Sequence, residues 1–482
     1  MRKINTRLRI ILLLFSIQFY STNLFSATIF WDLNAIYGIT QSGFASIIND
    51  ARNHFSDSPN DTVIIYINAG TYNIGGNGSH GINLSGGMHP GPNGRLVFQG
   101  AGMDLTTLIF TDIETDEIIA NNLYRTSFKD MHMTRDRYTV TQGNVVSVEP
   151  GEIVIDLHVG FPTPLQLWND WDQGRYLRRY TNDINDPQII QSNNEQEPFG
   201  WRNGQGIQPQ LVSGNRWKFF LNSPIKVLSN YQAGDLVGVK SKFEGGTYRI
   251  NRGSDIVFEN IKWTHSTRGI TRNGVSNFLI KGCRIERGAP INGQTPCMAS
   301  PSGGPQMNQL STQGDTVSTN MVVENLFVES TGDDCIAFFN VDGGKVINCT
   351  FRNSFARGIM ISQEAINICA NSGTILTNSS IEKNLINIPY WNVADAIIAG
   401  ILSNSCDSSI YIFNGDGNWN VAANWMQGLI PPSNLTSGKQ IIIAPIPNGQ
   451  CILNITQTIG TGCSLKINPN THMTVLGDIE IQ

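Results

Sequence analysis

Apolar residues alternate with polar ones in a series of short segments in the second half of the chain, and each segment has a small polar residue at its centre. The segments read "VFENIKW", "LIKGCRI", "VVENLFV", "KVINCTF" and "ILTNSSI", and their central residues are Asn260, Gly282, Asn325, Asn348 and Asn378. Successive central residues are 22, 43, 23 and 30 positions apart. Because strict alternation is the period of a β-strand, the pattern predicts one strand in each segment of a repeating architecture.

Repeats of this length predict an all-β fold, a right-handed parallel β-helix. A single coil cannot bury its inward face, whereas stacked coils close a common core at a spacing of roughly 4.8 Å. Asparagines at one corner of the coils can then form hydrogen bonds along the stack. The alternative is a β-sandwich with coincidental spacing, but sandwich strands usually recur every ~8–12 residues.

The rest of the chain divides around this stack. "FASIINDARNHF" has helical periodicity, so residues 27–139 are predicted to form an N-terminal cap and the first coils. The rhythm breaks in residues 140–245, where "GEIVIDLHVG", "NRWKFFLN" and "GDLVGVKSK" predict a small inserted domain of antiparallel strands. Residues 246–410 are predicted to form the main β-helix with a catalytic groove, and residues 411–482 a C-terminal β module.

Residues 1–26 have the pattern of a signal peptide. A basic start with four Lys and Arg residues precedes the apolar run "IILLLFSI" and the polar residues "YSTN". The apolar run is too short for a stable membrane anchor, although a signal anchor is the alternative interpretation. The pattern predicts a protein that is secreted, periplasmic or on the cell surface, and no later segment is apolar enough to cross a membrane.

Charge and cysteine content narrow the function classes further. Cleavage would remove four basic residues and no acidic ones, which changes the net charge from −5 to −9. An acidic exported protein is a poor nucleic-acid binder, because nucleic acid requires a basic surface. The spacings of the eight cysteines fit no zinc site, and the short sequence distance between Cys451 and Cys463 predicts a disulfide between them. No cofactor or metal is expected.

Two adjacent carboxylates are the principal chemical candidates. Asp333 and Asp334 follow Gly332 in "STGDDCIAFFN". Two adjacent carboxylates repel each other and so destabilise the fold, which indicates that the pair serves a function. Asp315 in "GDTVSTN" lies 18 residues before Asp333, so stacking of coils is expected to bring it close to the pair. Hydrolysis of a glycosidic bond requires one protonated and one ionised carboxyl group. The alternative for the pair is a solvated acidic turn.

Further polar candidates lie on the coil after the pair, on an earlier coil and at the ends of the strands that follow the corner motifs. Arg357 is a candidate for binding a substrate hydroxyl or carboxylate, or for an ion pair with one of the aspartates. "WTHSTRGITRNG" offers His265 and Arg268 as candidates on the same groove wall, although a lone histidine is more often a surface residue. Asn340 and Gln363 end the strands after the two corner motifs and are candidate partners for substrate hydroxyl groups.

The motifs resemble two families of glycoside hydrolases with a pectin-lyase-like right-handed β-helix. "TGDDCIAF" resembles the double-aspartate motif of the polygalacturonase family, glycoside hydrolase family 28. "NSFARGIMIS" is similar to the "RARGIL" stretch of the bacterial α-1,3-galactosidases, glycoside hydrolase family 110, and both groups have an upstream aspartate where "GDTVSTN" stands. The resemblance implies that Asp333 is the general acid and that Asp315 and Asp334 hold the water, with inversion.

The chain departs from the polygalacturonase pattern in two places. Ala356-Arg357-Gly358 stands where that family usually has Gly-His-Gly, and its Arg-X-Lys motif has no clear match. These departures favour a neutral galactoside or another glycoside over polygalacturonate.

The sequence therefore predicts a secreted glycoside hydrolase that acts on a galactose- or galacturonate-containing polysaccharide or oligosaccharide. One alternative is a calcium-dependent polysaccharide lyase, with Glu329, Asp333 and Asp334 as ligands and Arg357 as the base. Another is a β-helix that binds glycans without cleaving them. The oligomeric state stays open.

Overall fold

The structure is a computed structural model. It describes residues 26–482 apart from residues 76–79, 113–114, 168–174, 191–196, 203–204, 226–229, 241–244, 309–315, 340, 363–379, 383–384, 388–409, 426–429, 446–448 and 469–470. Residues 1–25 of the predicted signal segment and Asn378 lie outside the described residues. None of the helices in the described part combines the length and the apolar character that a bilayer-spanning segment needs.

The main body is a parallel β-helix whose coils have three strand-bearing faces. The first face contains the strands Thr28–Asp32, Thr62–Ile67, Arg95–Gly100, Ser318–Glu324, Lys345–Ile347 and Ser380–Glu382. The second contains Gly70–Ile74, Thr106–Phe110, Arg284–Ile285, Phe327–Glu329, Thr350–Arg352 and Leu385–Asn387. The third contains Ile82–Leu84, Ile118–Tyr124, Gln306–Met307, Ile336–Phe339 and Ile359–Ser362.

Three long strands continue from one face to the next, and a short strand lies at the corner between the third and first faces. The long strands are Thr126–Arg135, Tyr248–Trp263 and Ile270–Lys281, and the short one is Val341–Asp342. Every pairing within the stack is parallel. Phe98, Phe128 and Phe258 lie above one another inside it, with ring centroids 5.1 Å and 4.9 Å apart. The predicted fold class is thus confirmed as a parallel β-helix.

The polar residues at the centres of the repeats form the corner between the first and second faces. Asn260, Asn325 and Asn348 have φ values of 53°, 54° and 52°, and Gly282 has φ 61°. Asparagine and glycine are the residues that most readily adopt this left-handed conformation. The Asn348 side chain donates a hydrogen bond to Asn325 Oδ1 at 2.5 Å. Gly282 has no side chain, so the hydrogen bonds between corner side chains do not continue from Asn325 to Asn260.

A helix covers the core at the N-terminal end of the stack. Gln41–Asp57 begins after Thr40, whose hydroxyl accepts a hydrogen bond from the Gly43 N–H at 3.0 Å. Its buried side chains, among them Phe44 and Ile47, join the same core as the first coils. Two single-turn helices, Leu33–Ile36 and Pro164–Leu167, complete the α-helical segments of the described residues.

The inserted domain leaves the stack at the second face and returns at the third face of the same coil. Its sheet is antiparallel and has its own apolar core. The strand order is Glu197–Phe199, Arg175–Tyr180, Leu236–Lys240, Val140–Glu149, Glu152–Leu157, Arg216–Phe220 and Gln210–Ser213. A short hairpin pairs Trp201–Arg202 with Gln205–Gly206.

The C-terminal module is a second, shorter parallel β-helix of three coils. Its first sheet contains Ile410–Phe413, Gln440–Ile443 and Ser464–Ile467. The second contains Gly417–Asn418, Gln450–Leu453 and His472–Val475. The third contains Asn434–Leu435, Gln457–Ile459 and Ile479–Ile481. A 3₁₀ turn, Ala422–Asn424, lies in its first coil. The predicted disulfide between Cys451 and Cys463 is wrong, and both thiols are free. Cys451 is buried in the strand Gln450–Leu453 of the second sheet. Cys463 lies on the next coil, just before the strand Ser464–Ile467 of the first sheet.

The corner asparagines allow the backbone and side-chain contributions to be separated. Asn325→Gly keeps a residue suited to positive φ and loses the side-chain hydrogen bonds to Asn348 and Glu324, whereas Asn325→Ala loses the same bonds and also strains the backbone. We expect the alanine variant to be less stable by about 1 kcal/mol, measured by urea unfolding. Thr319 is an exposed strand residue, and there the glycine variant should be less stable than the alanine variant, the reverse of the order at Asn325. Equal stability of the two Asn325 variants would contradict the expectation.

Candidate functional site

The described candidate residues all lie in turns at one corner of the stack, between the second and third faces. His265 and Arg268 lie in the turn of one coil, Asp333 and Asp334 two coils further, and Arg357 on the coil after that. Strand pairing fixes these levels, since Ile270 pairs with Gln306, Gln306 with Ala337, and Ala337 with Met360. The inserted domain leaves the stack at this same corner, one coil before His265.

Asp334 is held by Arg357 on the next coil. Its Oδ1 accepts hydrogen bonds from the Arg357 backbone N–H at 3.0 Å and from Nε at 2.7 Å, and its Oδ2 accepts one from Nη2 at 3.3 Å. Arg357 therefore makes the ion pair that the sequence offered as an alternative to substrate binding. Both carboxylate oxygens of Asp334 are occupied by this partner.

Burial makes the ionised form of Asp334 costly. The residue is 5% exposed, and desolvation, followed by the charge of Asp333, raises its pKa to about 6, although Arg357 acts in the opposite direction. A carboxyl group that exchanges its proton near this pH is suited to general acid–base chemistry. It is also the member of the pair that is less accessible to a substrate.

Asp333 is half-buried and is the more accessible of the two. One side-chain oxygen accepts the backbone N–H of Asp334 at 3.1 Å. Its carbonyl accepts hydrogen bonds from the hydroxyl groups of Thr331, at 2.7 Å, and Ser354. The backbone at Asp333 is thus fixed by its own coil and by the next one, while its carboxylate is not committed to an ion pair among the described residues.

Arg268 lies two coils from the aspartates, with small residues between. Its backbone N–H donates to the Ser302 hydroxyl at 3.2 Å, and Gly304 N–H donates to the Asp334 carbonyl at 3.0 Å. Burial lowers the pKa of Arg268, and the negative charge of Asp333 counteracts the shift, so the two groups are close enough to interact. The corner therefore presents Arg268 and Asp333 on either side of a coil with short side chains.

The inserted domain contributes a residue that the sequence analysis missed. Arg178 is only 3% exposed, and its guanidinium lies 4.0 Å from the centre of the Phe355 ring. The charge of Asp333 acts on this arginine as well. Phe355 is anchored next to the site, since its N–H donates to the Thr331 carbonyl at 2.9 Å. No local sequence signal distinguishes Arg178 from the other arginines of "RYLRRY".

A second charged group ties the inserted domain to the stack. Glu329 accepts hydrogen bonds from the Arg287 backbone at 3.1 Å and from the Arg352 side chain at 3.0 Å and 2.6 Å. Arg287 also contacts Asp186 of the inserted domain. The oxygens of Glu329 are therefore engaged by arginines, which disfavours this residue as a calcium ligand in the lyase alternative.

His265 lies in a different environment from the aspartates. It is 9% exposed, and its ring packs edge-on against Tyr138 with centroids 4.2 Å apart. Burial, followed by the charge of His132, lowers the pKa of His265 to about 4. Above that pH the imidazole is neutral, and its surroundings are those of a packed side chain.

Three predicted site residues, Asp315, Asn340 and Gln363, lie outside the described residues. The described residues that flank the first of them, Asn308 and Thr316, belong to the turn after the third face, whereas the aspartate pair precedes that face. Among the residues that the structure describes, no group of three or more His, Cys, Asp or Glu side chains is arranged to hold a metal ion.

No protein-family model and no curated protein sequence matches the chain. Among solved structures, the catalytic unit of a thermostable GH87 α-1,3-glucanase from Streptomyces thermodiastaticus strain HF3-3 aligns with 94% of this chain at 11% identity and a TM-score of 0.38. The catalytic domain of a GH87 α-1,3-glucanase in complex with nigerose aligns with 91% at 12% identity and a TM-score of 0.33. The tailspike protein gp49 from Pseudomonas phage LKA1 aligns with 91% at 12% identity and a TM-score of 0.23. The chain spans 56% and 55% of the two glucanase chains. Similarity at this level identifies no activity for the chain.

The raised pKa of Asp334 predicts a pH-dependent stability. The folded state favours the protonated carboxyl, so its contribution is complete below about pH 4 and is lost as the pH rises towards 6. Asp334→Asn should remove this decline. Arg357→Gln should extend the decline above pH 6, because the guanidinium lowers the pKa of Asp334. Urea midpoints between pH 4 and 8 measure both effects.

Arg352→Gln is the matched control for this experiment. Arg352 lies five residues before Arg357 and pairs with Glu329 instead, so the pH range of the decline should not move. A decline that ends at lower pH in Arg357→Gln would contradict the assigned interaction.

Proposed function

We propose that the protein is an exported glycoside hydrolase that cleaves a galactose- or galacturonate-containing glycan by inversion. The observation that carries the proposal is the Asp333–Asp334 pair at the corner beside the inserted domain, in which Arg357 holds the buried Asp334 and Asp333 has the more accessible carboxylate. Paired carboxyl groups of this kind perform glycosidic hydrolysis when one donates a proton and another activates water.

Asp333 is the group that we assign to the glycosidic oxygen. It is more accessible than Asp334, whose oxygens are occupied by Arg357. In this proposal Asp333 is the general acid and Asp334 helps to orient the water, while the role of Asp315 as a further carboxylate rests on the family resemblance alone. The substrate class rests on the resemblance of "TGDDCIAF" to the polygalacturonase family and of "NSFARGIMIS" to the bacterial α-1,3-galactosidases.

The lyase alternative has less support in the geometry. The calcium ligands proposed for it include Glu329, which is bound by Arg287 and Arg352. Its proposed base, Arg357, is paired with Asp334. An arginine can act as a general base only after it has lost its own proton. An ion pair with a carboxylate stabilises the protonated guanidinium and opposes that loss.

Asp333→Asn should reduce turnover by at least ~10²-fold, because the amide cannot donate a proton to the leaving oxygen. The assay is release of reducing ends from a panel of plant and algal glycans, with unfolding midpoints to verify the fold. Asp104→Asn is the control, since Asp104 is exposed and pairs with Lys262 at 2.7 Å away from this corner. The control should retain full activity.

The same assay separates the other functions. A lyase would generate products that absorb in the ultraviolet and would stop with a chelator, whereas a hydrolase releases reducing ends without such absorbance. A glycan-binding protein would retain glycans without turnover. Unchanged turnover in Asp333→Asn would reject the assignment of Asp333.

A further inference from the structure

Two arginines at the corner, the buried Arg178 and the half-buried Arg268, have no carboxylate partner of their own among the described residues. Arg178 and Arg268 form no ion pair among the described residues, in contrast to Arg357, Arg287 and Arg352, each of which pairs with a buried carboxylate. In Arg178, Nε and Nη1 are buried and lack a hydrogen-bond partner in the described part of the chain. Leaving such donors unsatisfied is destabilising, above all in a charged group.

The position of Arg178 is fixed by packing. Its strand neighbour Tyr180 lies in an apolar cluster that joins the inserted domain to the coil corners, with Cys297, Met298 and Phe355 on the side of the stack. Asn353 reinforces this contact, because its Oδ1 accepts the N–H of Ile189 at 2.7 Å. The inserted domain thus holds an arginine rigidly beside the aspartate pair.

The balance of charge at the corner is positive. Arg178, Arg268 and Arg357 face Asp333 and Asp334, which leaves one positive charge in excess when both aspartates are ionised. Guanidinium groups remain charged when buried and match the planar, two-oxygen geometry of carboxylate and sulfate groups.

We propose that Arg178 of the inserted domain and Arg268 of the stack form a guanidinium pair that binds a carboxylate or sulfate substituent of the glycan next to Asp333. The proposal rests on the proposed function and narrows its substrate class to anionic glycans. It differs from the neutral galactoside that the missing Arg-X-Lys motif favoured, because the cationic group here comes from different parts of the chain.

Binding of three matched monosaccharides tests the pair: galactose, galacturonate and galactose 6-sulfate, titrated calorimetrically into the full protein at constant ionic strength. We expect saturable binding of one or both acidic sugars and at least tenfold weaker binding of galactose. A preference for galacturonate assigns the site to carboxylates, and a preference for galactose 6-sulfate assigns it to sulfates. Arg178→Gln and Arg268→Gln should each weaken acidic-sugar binding at least tenfold.

Arg179→Gln is the matched control, because Arg179 is adjacent on the same strand and lies 3.7 Å from Asp235. It should bind the acidic sugars as the wild type does. Arg178→Lys covers the case in which Arg178→Gln fails to fold, and it should retain the charge but lose most of the two-point binding. Equal binding of galactose, absent binding of both acidic sugars, or unaltered binding in Arg268→Gln would overturn the proposal.

Asp333→Asn in the same titration distinguishes this proposal from the proposed function. Removal of the negative charge should leave acidic-sugar binding intact or strengthen it, while turnover is lost. Retained turnover would reject the hydrolytic role of Asp333 and leave the guanidinium pair standing. Lost acidic-sugar binding in a folded Asp333→Asn protein would reject the guanidinium pair.

Discussion

The hydrogen bonds between successive parallel coils determine which distant residues meet in this protein. Each strand is held in register by the one before it, so a turn residue has a fixed partner one coil away. The pairing of Ile336 with Ile359 places Asp334 level with Arg357, 23 residues later. The charged corner is thus a consequence of backbone pairing, and the side-chain contacts refine a placement that the stack has already made.

The polar interface between the stack and the inserted domain adds specificity at an energetic cost. Arg287 and Glu329 of the stack and Asp186 of the inserted domain are removed from water in whole or part, and desolvation of such groups offsets much of their attraction. The apolar contacts around Tyr180 and Phe355 provide the favourable free energy that holds the inserted domain against the stack. The charged groups instead favour one orientation, since a displaced domain would remove Asp186 and leave Arg287 with only one of its two carboxylate partners, Glu329.

The sequence was sufficient for features that repeat and insufficient for features that depend on the insertion. Asn260, Asn325 and Asn348 reveal the coil period because each needs the same backbone conformation at the same corner. The same period places Arg357 one coil after Asp334. Asp315 could not be placed in this way, because it lies 18 residues before Asp333, whereas the residues paired one coil apart at this level, Gln306 and Ala337, are 31 positions apart. Arg178 has no periodic signature, since its position depends on how two separate sheets pack.

The two ends of the inserted domain are neighbours within its own sheet, where Val140 pairs with Lys240. The coil that carries residues 136–247 between its second and third faces therefore closes as if a short turn joined them. Without that pairing, the closure entropy of so long a segment would oppose the coil by roughly 2 kcal/mol more than a short turn does. A module with adjoining ends can be gained, lost or exchanged during evolution without altering the pitch of the scaffold that bears it.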